Sequence, residues 1–291
     1  MKKVFTIVDE KQGLMQVTTD DERFYIKESK NETTGLPCHI YLPSATWITK
    51  YVPKGYGFEK WLADKGWDVA QEIKMDRGKY GTRVHAAIEM LLNGEEVAMD
   101  DTFRDPYAEP GDDRLEALTF EEYNAVWTFQ EWWKEFTEKH EVEIIETEFT
   151  IWSETLGFAG TVDLLAKVDG VYTIFDWKTS KSVYLGHKAQ ISGYRKEMVN
   201  QLKTEEVNMI IGQFGYDKNK KGYKITEVED CWAEFEAAHT FWKKENDGSK
   251  PFQKDYPLKL SLAVKKNMSK QTKVEKKEAK KPAKKVAKKK A

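Results

Sequence analysis

FAGTVDLLAKVDGVYTIFDWKT (158–179) is the stretch on which the fold turns. Two runs of alternating apolar residues, 158–168 and 171–179, flank Asp169–Gly170, a dipeptide suited to a tight turn, and so predict a β-hairpin. The turn falls about midway between Asp163 and Asp176, which lie 13 positions apart, so the two carboxylates can meet across the pair. Side chains alternate along a strand, which places Asp176 and Lys178 on one face and turns Trp177 to the opposite, core side. Two acids and a lysine on an apolar hairpin require a metal, a mutual salt bridge or solvent. Hard oxygen ligands suit Mg2+ or Mn2+, held together with phosphate and water. The spacing alone leaves two readings open, a metal site and an ion pair on a strand edge, because Asp-x-Lys is a common pattern.

Working outward, VEIIETEFTIW (142–152) has the same period of two and reads as the strand before the hairpin. Ahead of it Thr119 and Glu122 form a capping box for a long helix bearing Tyr123, Val126, Trp127, Trp133 and Phe136. Beyond the hairpin a helix is expected over 185–201, strands near 207–216 and 222–228, and a last helix near 229–246. Upstream, the first 40 residues alternate in short bursts and read as an antiparallel meander. Ser44 is placed to cap the first of two short helices, and Asp68 to Leu92 reads as two helices on either side of a break at Gly78–Gly81. Residues 93–118 read as a long loop. Strands and helices interleaved in this way imply an α/β (α+β) class, a mixed central sheet flanked by helices.

A chain of 291 residues with 40% hydrophobic and 13% aromatic content can fill a sizeable core. No run approaches the roughly 18 apolar residues of a membrane helix, and MKKVFTIVDE is broken by acids too early for a signal peptide, so an intracellular, cytoplasmic protein with no membrane partner is expected. Cys38, placed in an early loop, and Cys231 are too few for a disulfide framework or a four-cysteine iron–sulfur cluster. A phosphate-cradling Gly-rich loop ending in GKS or GKT is absent, which argues against a nucleotide cofactor or a motor.

Four motifs follow one another along the chain: GTRVH (81–85), expected to open a helix, a glutamate in TEF (147–149), GTVD (160–163) and DWKTS (176–180), with QISGY (190–194) after them on a helix. In this order they resemble the PD-(D/E)XK nuclease superfamily, particularly its RecB-type exonuclease branch. The resemblance implies that His85, Asp163, Asp176 and the backbone carbonyl of Trp177 surround a Mg2+ or Mn2+ ion, and that Lys178 is the catalytic lysine. It also implies a strand glutamate, assigned to Glu148, with Glu146 as the alternative. Gln190 and Tyr194 would lie near the DNA backbone. LPSATWITKYVPKGYGFEKWLADKG (42–66) looks like the leading segment of phage exonucleases and of the mitochondrial genome maintenance exonuclease, with Ser44, Thr46 and Trp61 as the matching residues. Arg77 and Arg83 flank the histidine motif and Lys181 follows DWKTS, so all three are candidates for phosphate, a role that guanidinium forks suit well. Solvated helix-end charge is the other reading of the two arginines.

The resemblance covers about residues 42–246 and divides the chain into a β-rich segment (1–41), a nuclease domain (42–264) and a Lys-rich tail (265–291). It implies a free-standing exonuclease acting on DNA ends in phage-type recombination, replication or DNA degradation, in the cytoplasm of the host cell if phage-encoded. It also implies recombination or replication proteins as partners, with the basic tail directed to nucleic acid. The rival readings are a structure-specific endonuclease on the same fold and a non-cleaving DNA-binding or scaffold protein.

Charge is unevenly spread. The tail carries 13 lysines against Glu275 and Glu278, or +11, in a chain of net charge −2, so residues 1–264 carry −13. With few apolar residues beyond Ala and Val, the tail is expected to be disordered and to attach to a polyanion by releasing counterions; a solubilising tail or an address label is the plainer reading. Deleting residues 265–291 should weaken DNA binding at low salt and leave the rate on a saturating short substrate nearly unchanged. Unchanged affinity in a fluorescence titration would exclude a tether.

Overall fold

The computed structural model describes residues 4–9, 13–18, 22–30, 37–104 and 114–246. The Lys-rich tail and residues 247–264 lie outside them. In chain order the elements are β1 (Val4–Asp9), β2 (Leu14–Thr18), β3 (Arg23–Lys30), β4 (Pro37–Pro43), α1 (Ala45–Ile48), α2 (Tyr56–Lys65), α3 (Trp67–Leu92), β5 (Thr102–Arg104) and β6 (Leu115–Ala117). There follow α4 (Phe120–Thr137), β7 (Val142–Ser153), β8 (Phe158–Val168), β9 (Val171–Lys178), α5 (Leu185–Leu202), β10 (Val207–Phe214), β11 (Tyr223–Glu227) and α6 (Trp232–Glu245).

Strands β1 to β4 form an antiparallel meander, and β4 carries Cys38, which the sequence places in a loop. The central sheet has the order β11-β10-β9-β8-β7. Its pairs are antiparallel except β9 with β10. Parallel neighbours need a crossover, and α5 supplies it. The class is therefore α/β with a mixed five-stranded sheet between two helical layers. On one face α1, α5 and α6 bury Trp47, Ile191, Met198, Phe235 and Trp242 against Ile151, Val162, Ile174 and Ile211. On the other, α3 and α4 bury Val84, Ile88, Phe129 and Trp132 against Leu164, Phe175, Trp177 and Phe214. No helix among the described residues is long and apolar enough to cross a membrane.

Two expectations about the helical layer and its connections are corrected. The break at Gly78–Gly81 does not occur: α3 runs unbroken for 26 residues, so GTRVH lies inside a helix. Each internal glycine costs about 1 kcal/mol relative to alanine, and tertiary anchors outweigh that. Tyr80 Oη donates to the Glu121 carbonyl (3.1 Å), and Arg83 binds Glu122 through Nε (2.9 Å) and Nη2 (2.7 Å). The loop 93–118 contains a short hairpin of β5 with β6. The adjacent Trp132 and Trp133 pack into one aromatic cluster: Trp133 stacks on Phe129 while Trp132 meets Phe175, Trp177 and Phe214. Indoles are wide enough to reach one core from neighbouring helical positions.

Glu122 has two tasks. It completes the capping box with Thr119 at the start of α4, as the sequence predicts, and it receives buried Arg83. Removing one partner of a buried pair strands the other charge. Arg83→Ala should therefore cost about 3 kcal/mol in urea unfolding, whereas Glu116→Ala, which removes a half-exposed partner of the same guanidinium, should cost under about 1 kcal/mol.

Candidate active site

Strand β8 pairs with β9 from Val168↔Val171 to Leu164↔Phe175 and then stops, while β9 continues beside β10 as far as Lys178↔Gln213. One further step would have set Asp163 opposite Asp176. Instead the strands part, and the backbone N–H of Trp177 donates to Asp163 Oδ2. On the far side of β8 the register Thr147↔Leu164 and Phe149↔Val162 sets Glu148 opposite Asp163. Glu148 has φ 47°, in the left-handed region that costs a side-chain-bearing residue roughly 1–2 kcal/mol. The side-chain alternation slips at this place: Val162 packs under α5 and α6, yet Leu164 packs under α3 and α4. Carboxylates that a regular sheet would bury thus open toward α3.

From α3, His85 places Nδ1 3.1 Å from Asp163 Oδ1. One potential ligand atom each from His85, Glu148 and Asp163 lies within 4.8 Å of the others. Asp176 and Lys178 share a face, with Nζ 2.5 Å from Oδ2, and Trp177 points away into the rings of Phe129, Trp132 and Phe214. Asp176 Oδ2 is buried, with the Lys178 ammonium against it. One imidazole nitrogen with the carboxylates of Glu148 and Asp163, beside the Asp176–Lys178 pair, is a donor set that fits a hard divalent cation.

The electrostatics show how crowded the cluster is. Burial opposes charge on the His85 ring, but the Asp163 carboxylate, its hydrogen bond and Glu148 outweigh burial and raise the pKa to about 9. Burial and the Asp163 charge push Glu148 up to about 8. Burial also raises Asp176, against the pull of Lys178. For Asp163 burial is overcome by His85, Lys178 and the Trp177 N–H, and its pKa is lowered. Lys178 is held above its ordinary value because Asp176 and Asp163 overcome its burial.

The α5 layer closes the site from the other face. Gln190 Nε2 donates to Tyr194 Oη (2.9 Å) and lies 3.4 Å from Thr46 Oγ1. Tyr194 packs closely on β8 because Gly160 has no side chain; a Cβ there would come within 2.5 Å of the Tyr194 ring. The glycine of GTVD therefore makes room for the tyrosine of QISGY.

The structure separates the remaining expected residues. Glu148 joins the cluster, and Glu146 is exposed. Ser44 is buried and occupied as the cap of α1, accepting the Trp47 N–H. The Arg83 guanidinium is taken up by Glu122 and Glu116, while exposed Arg77 and Lys181 pair with Glu121 and Asp217. Trp61 is half-buried against Phe58. Two residues near the site gave no signal in the sequence. Tyr25 of β3 meets Thr161 Oγ1 at 3.0 Å, so the N-terminal meander braces the strand that carries Asp163. Gln213, in register with Lys178, donates to the Ser180 carbonyl (2.7 Å) and fixes the chain leaving β9.

The family model described as the PD-(D/E)XK nuclease superfamily matches residues 59–278, a span that includes His85, Glu148, Asp163, Asp176 and Lys178. The chain belongs to the PD-(D/E)XK nuclease superfamily. No curated protein matches it. For this superfamily member the fork between β8 and β9 is where a nuclease site would be built.

Gly160→Ala should cost roughly 1–3 kcal/mol by overpacking and lower the melting temperature. Combining it with Tyr194→Ala should cost less than the sum of the single changes, because the clash disappears with the ring. Additivity in the double-mutant cycle would show that the two residues do not press on each other.

Proposed function

We propose that this nuclease is a metal-dependent DNA exonuclease of the RecB-like, phage-exonuclease type, hydrolysing phosphodiester bonds at DNA ends in recombination, replication or DNA degradation. The observation that supports it is the convergence of His85, Glu148 and Asp163 within 4.8 Å, beside the Asp176–Lys178 pair. His85, Asp163 and Asp176, with the Trp177 carbonyl, would hold Mg2+ or Mn2+, and Glu148 completes the set. The bound ion would screen the phosphodiester charge and acidify a water. Lys178, kept charged by its two carboxylate neighbours, orients the attacking water and stabilises charge growing on the phosphate oxygens. Exposed Thr46 would offer its hydroxyl to the sugar–phosphate backbone, positioned by the buried Gln190–Tyr194 pair. Arg77 and Lys181 are exposed enough to exchange their carboxylate partners for phosphate.

End-labelled linear DNA and a closed circle, each incubated with Mg2+ or Mn2+, test the reading. The linear substrate should be degraded from its ends and the circle left intact. Cutting of the circle would replace the exonuclease with an endonuclease, and DNA binding without cutting of either substrate would leave a scaffold. Mn2+ should raise the melting temperature of the wild type but not of His85→Ala. Lys178→Ala should keep that rise and lose cleavage by about 100-fold or more.

A further inference from the structure

Helix α2 buries none of its residues, although it carries Tyr56, Phe58 and Trp61. Tyr56 is 78% exposed, and Trp67, at the start of α3, is 64% exposed. Lysines are set among these rings. Lys54 Nζ lies 4.6 Å from the Phe58 centroid, and Lys74 Nζ lies 5.4 Å from Phe58 and 5.7 Å from Trp67. Neither Lys54 nor Lys74 forms an ion pair among the described residues. Two uncompensated ammoniums on one ring stand out in a body whose first 264 residues carry −13.

The cluster is connected to the active site by the geometry of α3. Trp67, Lys74, Gly78, Gly81 and His85 follow one another at steps of seven, four, three and four residues, so they lie on one helical face. At 1.5 Å per residue, Lys74 stands about 16 Å and Trp67 about 27 Å from His85 along the axis. Between them the stripe is bare, because its two intermediate positions are glycines. The absent Cβ of Gly81 would lie 3.5 Å from Thr179 Oγ1, next to Lys178, so the stripe ends at the site.

The geometry points to this stripe as the path of an unpaired DNA strand, with phosphates meeting Lys54 and Lys74 and bases stacking on Trp67 and the α2 rings. The inference rests on the nuclease reading and names its substrate class, a single-stranded end. Exposed rings stack on any base whose faces are free, and a duplex hides those faces. Free ammoniums bind phosphate at either kind of strand.

The experiment measures binding and not cutting, in the full-length Lys178→Ala chain, using fluorescent dT20 and a 20-base-pair duplex over a salt series. Trp67→Ala should weaken dT20 binding about ten-fold with the salt slope unchanged, since stacking releases no counterions. Lys74→Ala should also weaken it and make the slope shallower by about 0.7. The duplex should lose little in Trp67→Ala. Unchanged dT20 affinity in both variants, or equal loss on duplex and dT20, overturns the path; the first outcome would assign the rings to a protein surface. Both substituted side chains are exposed, and an unchanged melting temperature confirms folding. Failure of the exonuclease reading appears separately, as wild-type protein that binds dT20 through this stripe but does not degrade it.

Discussion

Where β8 and β9 part after Leu164 and Phe175, a backbone N–H that the ladder would have satisfied is left over, and Asp163 takes it with a carboxylate oxygen. Buried backbone donors must find partners, so the fork can exist only with an acceptor of about this length at position 163. The same residue uses its other oxygen on His85. One side chain thus compensates for the interrupted sheet and orients the imidazole of α3, while β10 holds β9 in place on the other edge. The slip at Asp163 and the left-handed Glu148 opposite it accompany that interruption.

Much of this could be read from the amino-acid sequence, because it is written in short-range chemistry. Asp169–Gly170 between two alternating runs specifies the hairpin, alternation sends Trp177 to the core and Lys178 beside Asp176, and Thr119 with Glu122 announces α4. What could not be read depends on contacts distant in the chain. Glu146 and Glu148 are equivalent by period; a positive φ, which no local pattern encodes, admits Glu148 and leaves Glu146 in solvent. The helix through Gly78 and Gly81 survives because Tyr80 and Arg83 are anchored on α4, some forty residues away. The guanidinium of Arg83, a phosphate candidate by its place in the motif, is engaged by Glu122 and Glu116, partners that are invisible until α3 and α4 are brought together.

The cluster also shows why such a site needs a stiff surround. Glu148, Asp163 and Asp176 are crowded together, and the Asp163 charge raises the cost of ionising both Glu148 and Asp176. Left to themselves the strands would relax apart or take up protons. They are held on one side by rings that pack with Trp177, and on the other by Tyr194, seated on Gly160 and bonded to Gln190. Tyr25 adds a brace from the N-terminal meander through Thr161, two residues before Asp163. Aromatic packing of this kind resists small displacements because interiors are close-packed and movement opens voids. The repulsion that Asp163 exerts on Glu148 and Asp176 is held in the folded state, where a divalent cation would relieve it. The features that make the fork poor as a sheet, an interrupted ladder and crowded acids, are the ones on which the proposed cation site rests.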